Sequence, residues 1–201
     1  MSSPAGTTAN RTARQGEDSA RFALRKVASG VTVLTVSADG IAHGATVSAI
    51  MPISRDPVVL GVCLRTASAL ATMAIRTGWF SVNVLAGEQS GLAAVFAQPG
   101  RKPGPAQFSG LDWTLDRITS APLLGGCLAH LACRVAGTHR IGDHDLIIAE
   151  VVGGSATHGI PLLTFGGRLH DDTEGELVPL GLPRDQVLAS PATTRKGSEP
   201  T

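Results

Sequence analysis

The chain of 201 residues contains no tyrosine, only five phenylalanines and two tryptophans, so aromatic residues make up 3% of it. Charged residues are only 16%, and their balance of +1 gives no electrostatic case for nucleic acid or for an anionic membrane. No apolar run approaches the ~18 residues of a membrane span, and the opening residues lack the basic-then-apolar layout of a signal peptide. The cysteines number three, Cys63, Cys127 and Cys133, all in apolar strand-like segments and none in a CxxC pair. They read as buried free thiols in a reducing compartment, and the expectation is a soluble cytoplasmic protein.

Several chemical signatures are missing as well. No GxGxxG follows a strand and no GxxxxGK[ST] loop occurs, which argues against Rossmann and P-loop nucleotide sites. There is no GxSxG elbow and no cysteine in an electropositive setting. His139 and His144 with Asp143 and Asp145 match metal-ligand spacing poorly, so no metal is expected. Glu150 stands alone among apolar residues and reads as a solvent-facing or ion-paired strand residue.

What is present is an apolar fraction of 43%, punctuated by 24 glycines and 12 prolines. That pattern suits a β-rich domain with many turns. Residues 1–16 lack periodicity and read as a disordered arm. Ala20, Ala23, Leu24, Val27 and Ala28 share one face of a helix over about 17–29. Strands are expected at Val31–Val36, at His43–Ile53 with a bend at Pro52, and at 58–64 after Asp56-Pro57. A helix capped by Ser68 and stopped by Gly78 follows, then a strand from Trp79 to Leu85. A short helix from about Glu88 to Ala97 places Leu92, Val95 and Phe96 on one side. Residues 98–110 form a Gly/Pro-rich loop, and 111–121 are irregular. Two long strands, Cys127–His139 and Asp145–Val152, flank a turn at Ile141-Gly142-Asp143-His144, and Pro161–Phe165 is the last strand. The globular part is 17–170, and 171–201 is a polar tail, which leaves open packing on a partner subunit. Mostly strands with three short helices argue for an antiparallel or Greek-key barrel.

The most informative stretch is 44–68. Strand alternation puts Thr46 and Ser48 on one face and Val47, Ala49 and Met51 on the other. The next strand ends in Arg65-Thr66-Ala67-Ser68 where a helix begins. Hydroxyls, a cation and a helix start together suit a flat anionic ligand, although Thr46 also reads as an ordinary strand residue and Ser68 as a plain helix cap.

Six motifs in order resemble the flavin reductase-like family, short-chain flavin reductases that supply two-component monooxygenases. They are Phe22-x4-Val27-Ala28-Ser29-Gly30-Val31-Thr32-Val33, Gly44-Ala45-Thr46-Val47-Ser48-Ala49, and the Asp56-Pro57 strand ending Cys63-Leu64-Arg65-Thr66-Ala67-Ser68. The others are Phe80-Ser81-Val82-Asn83-Val84-Leu85, Gly142-Asp143-His144-Asp145, and Phe165-x-x-Arg168. The resemblance spans about residues 20–170. It implies a mainly β, split β-barrel with short flanking helices, binding flavin as a homodimer. It implies FMN, with FAD as an alternative, and NADH or NADPH as hydride donor.

By that resemblance Ala45, Thr46, Val47, Ser48 and Ala49 run along the isoalloxazine and ribityl chain. Cys63, Leu64, Arg65, Thr66 and Ser68 hold the phosphate end. Phe96 and Arg101 belong to a region closing over the phosphate or adenylate side. His144, Arg168 and, less surely, His170 lie on the nicotinamide side. The family often carries an aromatic residue shortly after that arginine; here Leu169-His170 stand instead. The expected activity is NAD(P)H-dependent reduction of free flavin, with His144 orienting the nicotinamide, and delivery to a flavin-dependent monooxygenase. A non-catalytic flavin carrier or sensor and a self-contained flavin oxygenase are the rival readings.

Overall fold

The structure, a computed structural model, describes residues 5–101 and 103–171, with side chains from residue 14 onward. The chain opens with helix α1 (Ala5–Leu24). Residues 5–16 of the disordered arm expected over 1–16 are helical, residues 1–4 lie outside the described residues, and the expected helix 17–29 ends at Leu24. Extending a formed helix adds one hydrogen bond per residue fixed, whereas apolar periodicity reports only packing, and no packing marks this segment. Phe22, Leu24 and Val27 are all exposed.

The strands that follow are β1 (Ser29–Gly30), β2 (Thr32–Ala38), β3 (Ile41–Val47), β4 (Ile50–Arg55) and β5 (Val58–Arg65). Helix α2 (Ala69–Thr77) leads into β6 (Trp79–Val84). A 3-10 turn at Gly87–Gln89 precedes α3 (Ser90–Ala97), and a second, Pro105–Phe108, lies in the long loop. The remaining strands are β7 (Trp113–Leu115), β8 (Pro122–Leu124), β9 (Ala129–Ile141), β10 (His144–Ala156), β11 (Leu163–Phe165) and β12 (Arg168–His170).

The fold is mainly β. Seven strands form one antiparallel sheet in the order β3-β2-β6-β9-β10-β5-β4. Its edge strands, β3 and β4, are consecutive in the chain and separated only by Ser48 and Ala49. Three Cα steps reach at most about 11 Å, so the sheet curls until its two edges meet at this corner. No pairing joins β3 to β4, and the sheet is not a closed barrel.

This geometry corrects the expected single strand His43–Ile53. Its two halves pair with different neighbours, β2 and β5, and the chain must turn between them. The corner is tied to β5 by a hydrogen bond from Cys63 N–H to Ala49 O at 2.9 Å.

Two apolar cores lie on either side of β2. Leu34, Val36, Val62, Leu64, Phe80 and Ile147 pack with Leu70 of α2. Val31, Val33, Leu85, Phe108 and Leu124 pack with Phe96 of α3. Within α3, Phe96 is buried and Leu92 packs against the same core as expected, but Val95 is exposed, because the inward face runs through Leu92, Ala93 and Phe96.

The segment 111–121 is more ordered than expected. Beyond the β7–β8 pairing, the Asp116 carboxylate accepts from Ser81, Thr119 and the Ile118 N–H. The last strand also gains a return partner. Gly166 and Gly167 adopt φ of 62° and 79°, the left-handed pair that closes a two-residue hairpin between β11 and β12. Cys127 and Cys133 are buried, but Cys63 is only half-buried, which corrects the reading of three buried thiols. Glu150 pairs with Arg134 on the neighbouring strand. No described helix is long and apolar enough to cross a membrane. The expected tail 171–201 lies, except for Asp171, outside the described residues.

Candidate functional site

Where the two sheet edges meet, a cavity of about 760 Å³ opens between the start of α2 and the end of α3. Twelve residues anticipated from the sequence line it. They are Ala45 to Ala49 from β3 and the corner, Cys63, Leu64, Arg65 and Ser68 from the end of β5, and Phe96, Arg101 and His144. Thr66, Arg168 and His170 do not line it. Thr66 Oγ1 is buried without a hydrogen-bond partner. Arg168 and His170 are exposed on β12, which among the described residues pairs only with β11.

The free edge of β3 forms one wall. Gly44 N–H donates to Gln107 Oε1 at 3.1 Å, and Gly44 O accepts from Arg101 at 2.7 Å. Gly104 N–H donates to Ala42 O at 2.8 Å. Arg101, Gly104 and Gln107 therefore strap the first half of this edge. In an antiparallel strand, alternate residues turn their N–H and C=O to the same side. Thr46 thus presents its backbone groups outward as Gly44 does, but beyond the strap, where the cavity begins.

The hydroxyls are less free than the sequence suggested. Thr46 Oγ1 donates to Ala93 O at 2.7 Å, fastening β3 to α3. Ser68 Oγ accepts from Ala71 N–H at 3.2 Å and caps α2, whose other end closes on left-handed Gly78. The Ser68 hydroxyl proton remains available to a ligand. Ser48 is exposed at the corner.

Arg101 is held by three backbone carbonyls, those of Val95, Gln98 and Gly44, and lies 5.4 Å from the centre of the Phe96 ring. Two of these carbonyls belong to the C-terminal end of α3, where the macrodipole favours a cation. Burial pulls the guanidinium below its ordinary pKa, and its Nε is buried without a partner. Arg65, the last residue of β5, is exposed and also lines the cavity.

Among the described residues, two arginines and no carboxylate line this space. Its field therefore favours an anionic ligand.

His144 faces Arg65 across the β5–β10 pairing, at the mouth. Its Nδ1 lies 2.8 Å from Asp143 Oδ1. That contact and the charge of the ring hold the Asp143 carboxyl below the usual carboxylate range. With Nδ1–H donated to Asp143, Nε2 is left facing outward as the second functional nitrogen.

Sequence reasoning missed His43, Ala69, Leu70 and Gln107 in this region, whereas Ala97–Gly100 falls inside the stretch 96–102 that the resemblance placed over the phosphate side. His43 shares a face with Ala45 and Val47 by period-2 spacing, a signal that was present. Gln107 lies 63 positions from its partner Gly44, and nothing local announces it. Among the described residues no three of His, Cys, Asp and Glu gather as metal ligands.

The fold and cavity define a mainly β protein with an anion-suited cleft at the seam of a curled sheet. The sequence pattern of the family described as "Flavin reductase like domain" matches residues 24–171, and the chain belongs to that family. It is 40% identical over 152 residues to the NADPH-flavin oxidoreductase of Streptomyces viridifaciens, covering 75% of this chain and 78% of that protein. It is 34% identical over 152 residues to the reductase component of 4-nitrophenol 4-monooxygenase/4-nitrocatechol 2-monooxygenase of Rhodococcus opacus, covering 76% of each. Among solved structures it resembles BorF, the flavin reductase component of a bacterial two-component tryptophan halogenase. That match has a TM-score of 0.71 and 29% identity, covering 77% of this chain and 96% of that one.

Proposed function

We propose that the protein is an NAD(P)H:flavin oxidoreductase that reduces free flavin, FMN foremost and FAD as the alternative, and passes it to a partner monooxygenase. The observation that carries this reading is the cavity along the edge of β3, whose described lining holds Arg65 and Arg101 and no carboxylate. Family membership and the names of its relatives support the same activity.

The residues fit a flavin nucleotide. The Thr46 backbone edge, Val47 and Ala49 offer donors, acceptors and apolar contact to a flat heterocycle. Arg65, Ser68 and the first turn of α2 offer an anion site for the phosphate. His144 stands at the mouth, where it would orient the nicotinamide. The flavin itself supplies the hydride chemistry, so the protein's task is to hold two rings in register and keep water away. No nucleophile or acid–base dyad is needed.

We read the curled sheet as a split barrel that works as a homodimer. Val58 is exposed at an apolar groove of about 440 Å³ that it lines with residues such as Ile50, Pro52, Leu60 and Val151. A second copy would cover them, which burial of apolar area favours. In this reading the second copy also brings Arg168 and His170 to the nicotinamide side.

The test is anaerobic mixing of purified protein with each flavin and each reduced nicotinamide nucleotide. Flavin bleaching in at least one of the four combinations is expected. No bleaching in any of them, with flavin held stoichiometrically, overturns the reductase in favour of a carrier.

A further inference from the structure

We propose that His43 is a further ligand-binding residue of this cavity, donating its Nε2–H to an oxygen of the flavin nucleotide, with Gln107 as the positioning residue that fixes its tautomer. The proposal rests on the flavin-reductase reading above.

The argument begins at Gly44, whose backbone N–H can only donate. Its 3.1 Å contact therefore identifies the facing Gln107 atom as the carbonyl oxygen. The other end of that amide is then NH2, and it lies 2.7 Å from His43 Nδ1. Nδ1 must accept, so the one proton of a neutral ring sits on Nε2. Neutrality is favoured by the surroundings: burial first, and then the charge of Arg101, both press the imidazole pKa down, while the Gln107 hydrogen bond acts the other way.

His43 lines the cavity and is only 5% exposed. No described residue accepts from its Nε2–H, which is left to whatever fills the cavity that His43 lines. A neutral N–H beside a guanidinium that has no carboxylate partner calls for an oxygen acceptor. On a flavin nucleotide the phosphate and the ribityl hydroxyls share that chemistry.

Two substitutions separate a ligand contact from mere packing. In His43→Gln the amide nitrogen reaches the Nε2 position and keeps a donor. In His43→Leu only bulk remains. Flavin KM and kcat are measured for FMN and riboflavin, alongside the NADH KM and the melting temperature. We expect His43→Leu to raise the flavin KM about tenfold at little-changed kcat and NADH KM, the loss of one net hydrogen bond to the ligand, while the lost Gln107 contact lowers the melting temperature. His43→Gln should restore most of it. Gln107→Leu, which frees the tautomer, should raise the flavin KM in the same sense.

An increase confined to FMN assigns the phosphate; an increase for both flavins assigns the ribityl chain. An unchanged flavin KM in His43→Leu overturns the proposal. So does equal loss in both His43 variants, which marks a structural role. FMN binding followed by fluorescence quenching reads the contact without turnover. An inactive wild type would thus refute the reductase while leaving His43 still testable.

Discussion

Gly44 and Phe96 stand so close that a methyl group on Gly44 would come within 2.7 Å of Phe96 Cε1. The absence of a side chain on β3 is what lets α3 lie against the strand and form a cavity wall. The same residue anchors the strap through both of its backbone groups.

Gly44→Ala should therefore cost about 1–3 kcal/mol of stability, since Phe96 is buried and its ring has no free end to swing away. Chemical denaturation would measure this. Displacement of Phe96 and its neighbours should also raise the flavin KM.

Ser68 has two separable tasks. Ser68→Ala should lose the cap on α2 and about 1 kcal/mol. Ser68→Asp should keep the cap and stability, yet raise the KM for FMN more than for riboflavin, because it sets a carboxylate in a cavity whose described lining has none. Equal KM effects on the two flavins would remove Ser68 from the phosphate site.

Asp143 should titrate below its ordinary value of about 3.9, because His144 hydrogen-bonds it and lends charge. The folded pKa is depressed, so the stability it contributes is present above the unfolded value and is lost as pH falls through the folded one. His144→Ala should return the Asp143 carboxyl toward the ordinary value, as an NMR titration of its side-chain carbon would register. The same variant should lower turnover with NADH; unchanged turnover would remove His144 from the reaction.

The three cysteines should react unequally. Burial pushes the Cys127 thiol up to about 11 and, with the charge of Asp116 adding to it, the Cys133 thiol up to about 12. Both should stay unlabelled by a thiol reagent at pH 8 in the native protein. Cys63 is half-buried on the cavity wall. It should take up one equivalent per chain, more slowly when FMN is present.

The elements that the sequence announced are those governed by local rules. Ser68 and Gly78 bracket α2 because capping chemistry is confined to the helix ends. Gly142-Asp143 turns β9 into β10, as the two flanking apolar runs implied. The motif residues of β3 and β5 did converge on one cavity. The break at Ser48-Ala49 was not legible, because the residues before and after it are equally strand-like and differ only in which neighbour they pair with. The β12 return and the order in 111–121 were missed for the same reason: short strands are defined by their partners.

The sequence by itself determined the mainly β composition, the α2 boundaries and the set of small and hydroxyl residues around 44–68. Periodicity and capping are properties of consecutive residues. Only the tertiary structure decided that the Thr46 and Ser68 hydroxyls already serve the fold, and that Arg101 is gripped by three carbonyls. It alone joined Gln107, Gly44 and His43 into one chain of hydrogen bonds. Such contacts join residues scores of positions apart, and they arise only when a curled sheet brings its two edges together.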